Sequence, residues 1–280
     1  MEVKRLSDAL GAEVLGVDLI SVTDEEFQEI YDAWLKYEVL VFHDQDLTPE
    51  EHIEFSKRFG ELEVHIAVDH LLEGHPEIMM VSNKQVDGRY IGAVSAADYW
   101  HSDLSCNSHP TKASLLYALE IPSVGGDTEW ADTYAAYETL PEATKEKIAD
   151  LRGIHSWNRI RNPRVAVPEV HKDAEERYGT RAPHDALHPI VRTHPETGRK
   201  ALYVSPRFTL GVDGLEPDEG QELLDELFDH MAKREFIFRH SWKVGDLVLW
   251  DNRCTVHINT RGYDEIRHMH RTSVAGDVPY

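Results

Sequence analysis

Apolar residues recur at helical spacing across residues 23–37. Phe27, Ile30, Tyr31, Trp34 and Leu35 fall on one stripe, and Thr23-Asp-Glu-Glu supplies a capping box at its start. The pattern predicts a helix there, a short buried strand at Val39-Leu-Val-Phe, and a second helix opened by Thr48-Pro-Glu-Glu and ending near Phe59-Gly60. From about Glu77 the texture changes to short strands between turns, most clearly at residues 78–81, 113–121 and 128–131. Residues 135–151 read as a helix, with Pro141 in its early part or at a break. Residues 158–188 are polar, rich in proline and histidine and without a sustained period, which predicts an insertion or lid. Residues 190–193 and 200–204 flank a hairpin signal, His194-Pro-Glu-Thr-Gly-Arg. An amphipathic helix follows at 219–233, and residues 235–274 return to strands around a turn at Lys243-Val-Gly-Asp. No repeat or linker divides the chain.

Two segments carry candidate metal chemistry: Trp100-His101-Ser102-Asp103, and Trp250-Asp-Asn-Arg-Cys-Thr-Val-His257, with Arg267 ten residues beyond. Two imidazoles and one carboxylate can occupy one face of an octahedral ferrous ion and leave three positions open, the arrangement of non-haem iron oxygenases. If residues 100–104 are extended, His101 and Asp103 point to one face and Ser102 to the other. His257 must then arrive from a neighbouring strand. With 17 histidines in the chain, a His-x-Asp pair carries little weight alone; His257 and Arg267 add to it. Strands from both sides of the chain's centre must meet to assemble such a site. That excludes a sequential Rossmann pattern and predicts a mainly β fold with flanking helices: two facing antiparallel sheets, a double-stranded β-helix or jelly roll, as a single domain over residues 1–280.

Composition narrows the partners. A hydrophobic fraction of 41% over 280 residues supports a substantial core. The formal charge of −22 argues against nucleic acid and against anionic membranes. No apolar run approaches membrane-spanning length, and Met1-Glu-Val-Lys-Arg-Leu lacks the apolar core of a signal peptide. Two cysteines, Cys106 and Cys254, make no disulfide framework and read as buried, reduced thiols, so a cytoplasmic protein is expected.

The chain resembles the taurine dioxygenase and 2,4-dichlorophenoxyacetate dioxygenase family of iron(II)/2-oxoglutarate-dependent oxygenases. The resemblance runs over essentially the whole length. It is strongest at Val39-Leu-Val-Phe-His-Asp-Gln, Arg58-Phe-Gly-Glu-Leu, Trp100-His-Ser-Asp, Pro122-Ser-Val-Gly-Gly-Asp-Thr, Val191-Arg-Thr-His-Pro, Trp250-Asp-Asn-Arg and Arg267-His-Met-His-Arg271. It implies that His101, Asp103 and His257 hold Fe(2+), and that Arg267 and Thr128 bind the distal carboxylate of 2-oxoglutarate, a role suited to a guanidinium fork. It further implies that Arg271 holds the anionic group of a small organic substrate and that His65 approaches that substrate. Arg267 and Arg271 are an even offset apart, so an extended strand points both into one cavity, and His268 and His270 away from it. Lys84, Arg89 and Tyr99 are further pocket candidates.

The implied reaction consumes dioxygen, converts 2-oxoglutarate to succinate and carbon dioxide, and hydroxylates the substrate. Where the taurine enzyme carries a tyrosine and an asparagine, this chain has Val68 and Ala97, which removes polar partners and argues against taurine itself. The segment from Arg234 to Trp250 resembles the aryloxyacetate branch more closely. Three other readings stay open. One is a metal-dependent hydrolase with zinc on the same ligands, which leaves Arg267, Thr128 and Arg271 without a shared purpose. Another is a non-catalytic binding protein on the same fold. The third is an iron oxygenase with an outcome such as desaturation. Assembly into a homo-oligomer is left open.

Overall fold

At the start of the first helix, α1 (Asp24–Tyr37), the Thr23 hydroxyl accepts the Glu26 N–H at 3.2 Å and the Glu26 carboxylate accepts the Thr23 N–H at 3.0 Å. Thr48 and Glu51 close the same reciprocal pair, at 3.2 and 2.8 Å, on α2 (Pro49–Lys57). The first box is the one the sequence predicts, and the second closes the predicted start of α2. The helix expected over residues 135–151 is instead two, α3 (Thr133–Glu138) and α4 (Glu142–Ile148), with Pro141 at the N-cap of the second. Proline has no N–H for an interior turn and pushes the preceding residue out of helical geometry, so the chain takes the break. The last helix, α5, is Pro217–Met231. The structure is a computed structural model and describes residues 1–94, 98–157 and 184–280. Most of the predicted lid at 158–188 lies outside them, and its final residues belong to a strand, Ala186–Pro189.

In chain order the strands are β1 (Glu2–Arg5), β2 (Ala12–Leu15), β3 (Val39–Phe42), β4 (Leu71–Leu72), β5 (His75–Ser82), β6 (Gln85–Val86), β7 (Arg89–Tyr90), β8 (Ala113–Glu120) and β9 (Thr128–Asp132). They continue as β10 (Arg152–His155), β11 (Ala186–Pro189), β12 (Val191–Thr193), β13 (Lys200–Leu202), β14 (Thr209–Val212), β15 (Ile237–His240), β16 (Leu247–Asp251), β17 (Thr255–Asn259) and β18 (His268–Val274). Eight form one sheet in the order β1-β2-β3-β16-β8-β18-β5-β4. It is antiparallel except for the parallel β2–β3 pair, a departure from the expected all-antiparallel sheets. A three-stranded sheet, β15-β9-β17, faces it. The predicted hairpin at 190–204 is present as β12 and β13.

The large sheet is apolar on both faces, which is why Val39-Leu-Val-Phe reads as a continuous hydrophobic run. Leu40, Phe42, Leu115, Tyr117, Leu247 and Leu249 pack outward with Trp34 of α1 and Phe55 of α2. The alternate residues Val39, Val41, Leu116, Ala118, Val248, Trp250 and Met269 pack inward on Trp130, Phe238 and Trp242 of the small-sheet side. This is the expected jelly roll with helices outside. Among the described residues no helix is long and apolar enough to cross a membrane.

Removing the first cap by Thr23→Ala is expected to lower stability by about 1 kcal/mol, read as a lower urea midpoint with unchanged slope. A second expectation concerns pH. Burial, with His270 nearby, pushes His52 down to about 3 from its ordinary 6.5, and burial acts in the same direction on His65 and His101. Such histidines stay neutral in the fold while the unfolded chain takes up protons. Their contribution is therefore complete above the ordinary value and is lost as pH falls toward the folded one. The urea midpoint of the metal-free protein should fall steadily on acidification from about 6.5 to about 4; a flat profile over that window would contradict it.

Candidate metal centre

His101 and His257 meet backbone to backbone. The His101 N–H donates to the His257 carbonyl at 3.1 Å, and the His257 N–H donates to the His101 carbonyl at 2.8 Å, an isolated antiparallel bridge. Their rings lie 4.1 Å apart between centroids, and one ligand atom from each of His101, Asp103 and His257 lies within 4.8 Å of the other two. All three side chains are buried. His101 Nδ1 sits 2.8 Å from the Tyr99 carbonyl, which only accepts, so Nδ1 carries the proton and Nε2 keeps a free lone pair 3.7 Å from Asp103 Oδ1. Burial pushes His101 down to about 4 and His257 well below the usual histidine range, so both are neutral at pH 7. His257 Nδ1 is buried with no partner. Burial also pushes the Asp103 carboxyl up, but Arg271, His257 and His101 together outweigh it and hold the group below the carboxylate range. Two free imidazole nitrogens and one carboxylate thus converge in a donor set that fits ferrous iron.

The extended segment expected at 100–104 is only partly present. The chain pairs at His101 and then turns, with Leu104 at φ 49°. What aims Asp103 is a set of hydrogen bonds centred on Asn252, which is fully buried. Asn252 Oδ1 accepts the Asp103 N–H and the Trp250 indole N–H, each at 3.0 Å, which fixes the amide's orientation. Its Nδ2 donates to Ser114 Oγ at 2.9 Å, and Ser114 in turn donates to Asp103 Oδ2 at 2.7 Å. Ser102 Oγ donates to the Asn252 carbonyl at 2.6 Å. Ser114 therefore holds Oδ2 of Asp103, while Oδ1 faces the His101 imidazole and is shared with Arg271.

Arg271 donates from Nη1 to Asp103 Oδ1 at 2.8 Å and reaches Met79 Sδ from Nη2 at 3.3 Å, and its buried Nε has no partner. His65 is pushed down to about 3 by burial and by Arg271, with Asp103 opposing, so it shares this side of the site. Its ring faces Trp157 at 6.0 Å; Trp157 stacks on Phe208 at 6.4 Å, and Phe208 meets the edge of His101 at 6.1 Å. An aromatic wall thus runs from His65 to the triad. Lys84 pairs with Glu120 at 2.5 Å, Arg89 is exposed, and Tyr99 acts through its carbonyl on His101. Val68 is exposed at the start of a 3-10 turn, and Ala97 lies outside the described residues.

Arg267 is 3% exposed and donates from Nε to the Gly126 carbonyl at 3.1 Å. Burial lowers its pKa to about 10, against Tyr263 and Asp127, so it remains a cation at neutral pH. No carboxylate pairs with it among the described residues. It lines a small cleft with Asn83, Asp98, Asn259 and Tyr263, and Asp98 itself pairs with Arg261. Gly125 and Gly126 both have positive φ, 77° and 74°. A Cβ on Gly126 would stand 3.3 Å from Arg267 Cδ, so Gly126 leaves room for the arginine, and one on Gly125 would stand 2.8 Å from the Gly262 carbonyl, so Gly125 admits the neighbouring loop. Thr128, two residues on, is buried and opposite Asn259 in the β9–β17 register, while Trp130 is opposite His257. The β18–β8 register shift falls between His268 and Met269, and Met269 packs inward while His268 and His270 face each other at 5.2 Å.

A second convergence, His194, Asp251 and Cys254, is spoken for. His194 Nδ1 accepts the N–H groups of Glu196 and Thr197 at 3.2 and 3.1 Å, so Nε2 bears the proton and points at Asp251. Arg253 donates to both oxygens of Asp251, at 2.8 and 2.7 Å. Cys254 packs with Tyr134 and Ala201, and Cys106 is also buried and free.

Sequence reasoning missed Asn252, Ser114 and Trp242. A lone serine on the inward side of an apolar strand was the available signal for Ser114, since a buried hydroxyl needs a partner. Ser114→Ala is expected to weaken ferrous or cobaltous binding about 10- to 100-fold, measured by anaerobic competition with a chelator. Unchanged affinity would show that Ser114 does not hold the carboxylate.

A model of the taurine catabolism dioxygenase TauD, TfdA family matches residues 2–273. The chain is 35% identical to the (S)-phenoxypropionate/alpha-ketoglutarate-dioxygenase of Sphingobium herbicidovorans, over 99% of this chain and 95% of that one. It is 33% identical to the alkylsulfatase of Acinetobacter baylyi, over 99% and 86%. The crystal structure of AAD-2 in complex with Mn(II) and N-oxalylglycine matches with a TM-score of 0.82 at 35% identity, over 99% of each chain. On these grounds the chain belongs to the TauD, TfdA family of dioxygenases.

Proposed function

We propose that this protein is an iron(II)- and 2-oxoglutarate-dependent dioxygenase that hydroxylates a small anionic organic substrate. The observation that carries the reading is the convergence of His101, Asp103 and His257, together with a buried Arg267 that no carboxylate pairs with among the described residues. Bound iron, 2-oxoglutarate and dioxygen supply the oxidising chemistry, with succinate and carbon dioxide as co-products. His101 and His257 present neutral nitrogens and Asp103 a carboxylate oxygen, while Asn252 and Ser114 keep that carboxylate from rotating. Arg267 and Thr128 receive the distal carboxylate of 2-oxoglutarate, and the aromatic wall excludes water. Zinc hydrolysis on the same ligands gives no role to a buried arginine for which Gly126 leaves room.

Arg271 is the proposed anchor for the substrate's carboxylate, sulfonate or sulfate. Its unpartnered Nε and thioether-facing Nη2 leave charge to offer while Nη1 holds Asp103. His65 is proposed to meet the same substrate. Relatives named for a phenoxypropionate and for an alkyl sulfate support this range of anions. The family match over nearly the whole length supports one catalytic unit, and two buried free thiols fit a cytoplasmic location.

Anaerobic addition of ferrous iron and 2-oxoglutarate should produce a visible charge-transfer band, and its absence would remove the oxygenase reading. Asp103→Ala should abolish substrate-dependent succinate formation in a screen over sulfonates, alkyl sulfates and aryloxyalkanoates. Arg271→Gln should raise KM for the anionic substrate about 10- to 100-fold, the loss of a hydrogen bond to a charged group, with 2-oxoglutarate affinity largely retained. Equal loss of both affinities would argue against separate anchors.

A further inference from the structure

Trp242 touches both residues assigned to the 2-oxoglutarate carboxylate. Its indole N–H donates to Thr128 Oγ1 at 2.9 Å, and the Arg267 guanidinium lies over its ring at 5.8 Å from the centroid. The side chain is 6% exposed and set in place by neighbours: the His240 ring meets it edge-on at 4.9 Å, and Trp130 lies at 6.4 Å.

A threonine hydroxyl has one proton and two acceptor lone pairs. The indole can only donate, so it occupies a lone pair of Thr128 and turns the hydroxyl proton away from itself. Among the described residues nothing accepts that proton, although Thr128 is 4% exposed. A buried donor without an acceptor is unfavourable unless a ligand supplies one. The Arg267 cation is fixed at Nε by the Gly126 carbonyl and lies on the π face of the same indole. One aromatic side chain thus fixes the direction of one donor with its edge and the seat of a second with its face.

We propose that Trp242 is a positioning residue for 2-oxoglutarate, aligning the Thr128 hydroxyl and the Arg267 guanidinium on one carboxylate. The proposal rests on the 2-oxoglutarate reading above. Trp242 does not touch the iron ligands in this scheme, so its removal separates keto-acid affinity from metal affinity.

The test uses the full chain loaded anaerobically with ferrous iron and titrated with 2-oxoglutarate, the charge-transfer band reporting binding. Trp242→Phe keeps an aromatic ring and deletes the N–H. It should raise the 2-oxoglutarate Kd about tenfold, with metal affinity from chelator competition within about twofold of wild type. On a Thr128→Val background the same change should weaken binding by a clearly smaller factor, because the hydroxyl it orients is gone. A Trp242→Phe Kd within about twofold of wild type would overturn the proposal, as would equal losses in the two backgrounds. A parallel loss of metal affinity would also overturn it, by marking a packing role alone. If wild type itself gives no band, the failure belongs to the 2-oxoglutarate reading.

Discussion

The site depends on one backbone contact, the two hydrogen bonds exchanged between His101 and His257. They bring together candidate metal ligands that the chain separates by more than half its length. That bridge is short and isolated, so its register needs outside support. Asn252 supplies it by binding the Asp103 N–H, the Ser102 hydroxyl and Ser114 from the turn that leads into β17. A one-residue slip would send His257 to the opposite face of its strand. The ion pairs of Asp251 with Arg253 and of Arg253 with Glu196, at 2.7 and 2.5 Å, hold the same turn from behind. The Asp251–Arg253 pair is deeply buried, and such pairs add little net stability but do fix a geometry.

The two halves of the site are built by different physics. The metal side is neutralised in place: two imidazoles kept uncharged by burial, and a carboxylate kept charged by Arg271. The Arg267 side carries a cation without a counter-charge among the described residues, which an apolar interior tolerates poorly. Gly126 leaves room for that cation, and the face of Trp242 offers it a favourable surface.

Much of the fold was legible because its signals are local. Both capping boxes, the apolar β3 run and the 190–204 hairpin follow from adjacent residues. The triad was legible through spacing and resemblance together. Pro141 warned of a break, but whether helix resumed after it depended on packing of Ile148 in the core. The turn after Ser102 was hidden because Leu104 takes a left-handed backbone that its side chain does not advertise. Asn252, Ser114 and Trp242 act through partners far along the chain, and such hydrogen bonds leave no periodic trace.

The contrast between a surface of net charge −22 and an interior holding Arg267 and Arg271 bears on how reactants arrive. At distances beyond a few ångströms the acidic exterior repels the anions proposed to bind these arginines, and attraction by the buried cations acts only at short range. Encounter rates for an anionic reactant therefore rise with ionic strength, since mobile ions damp the outer field more than the sheltered inner one.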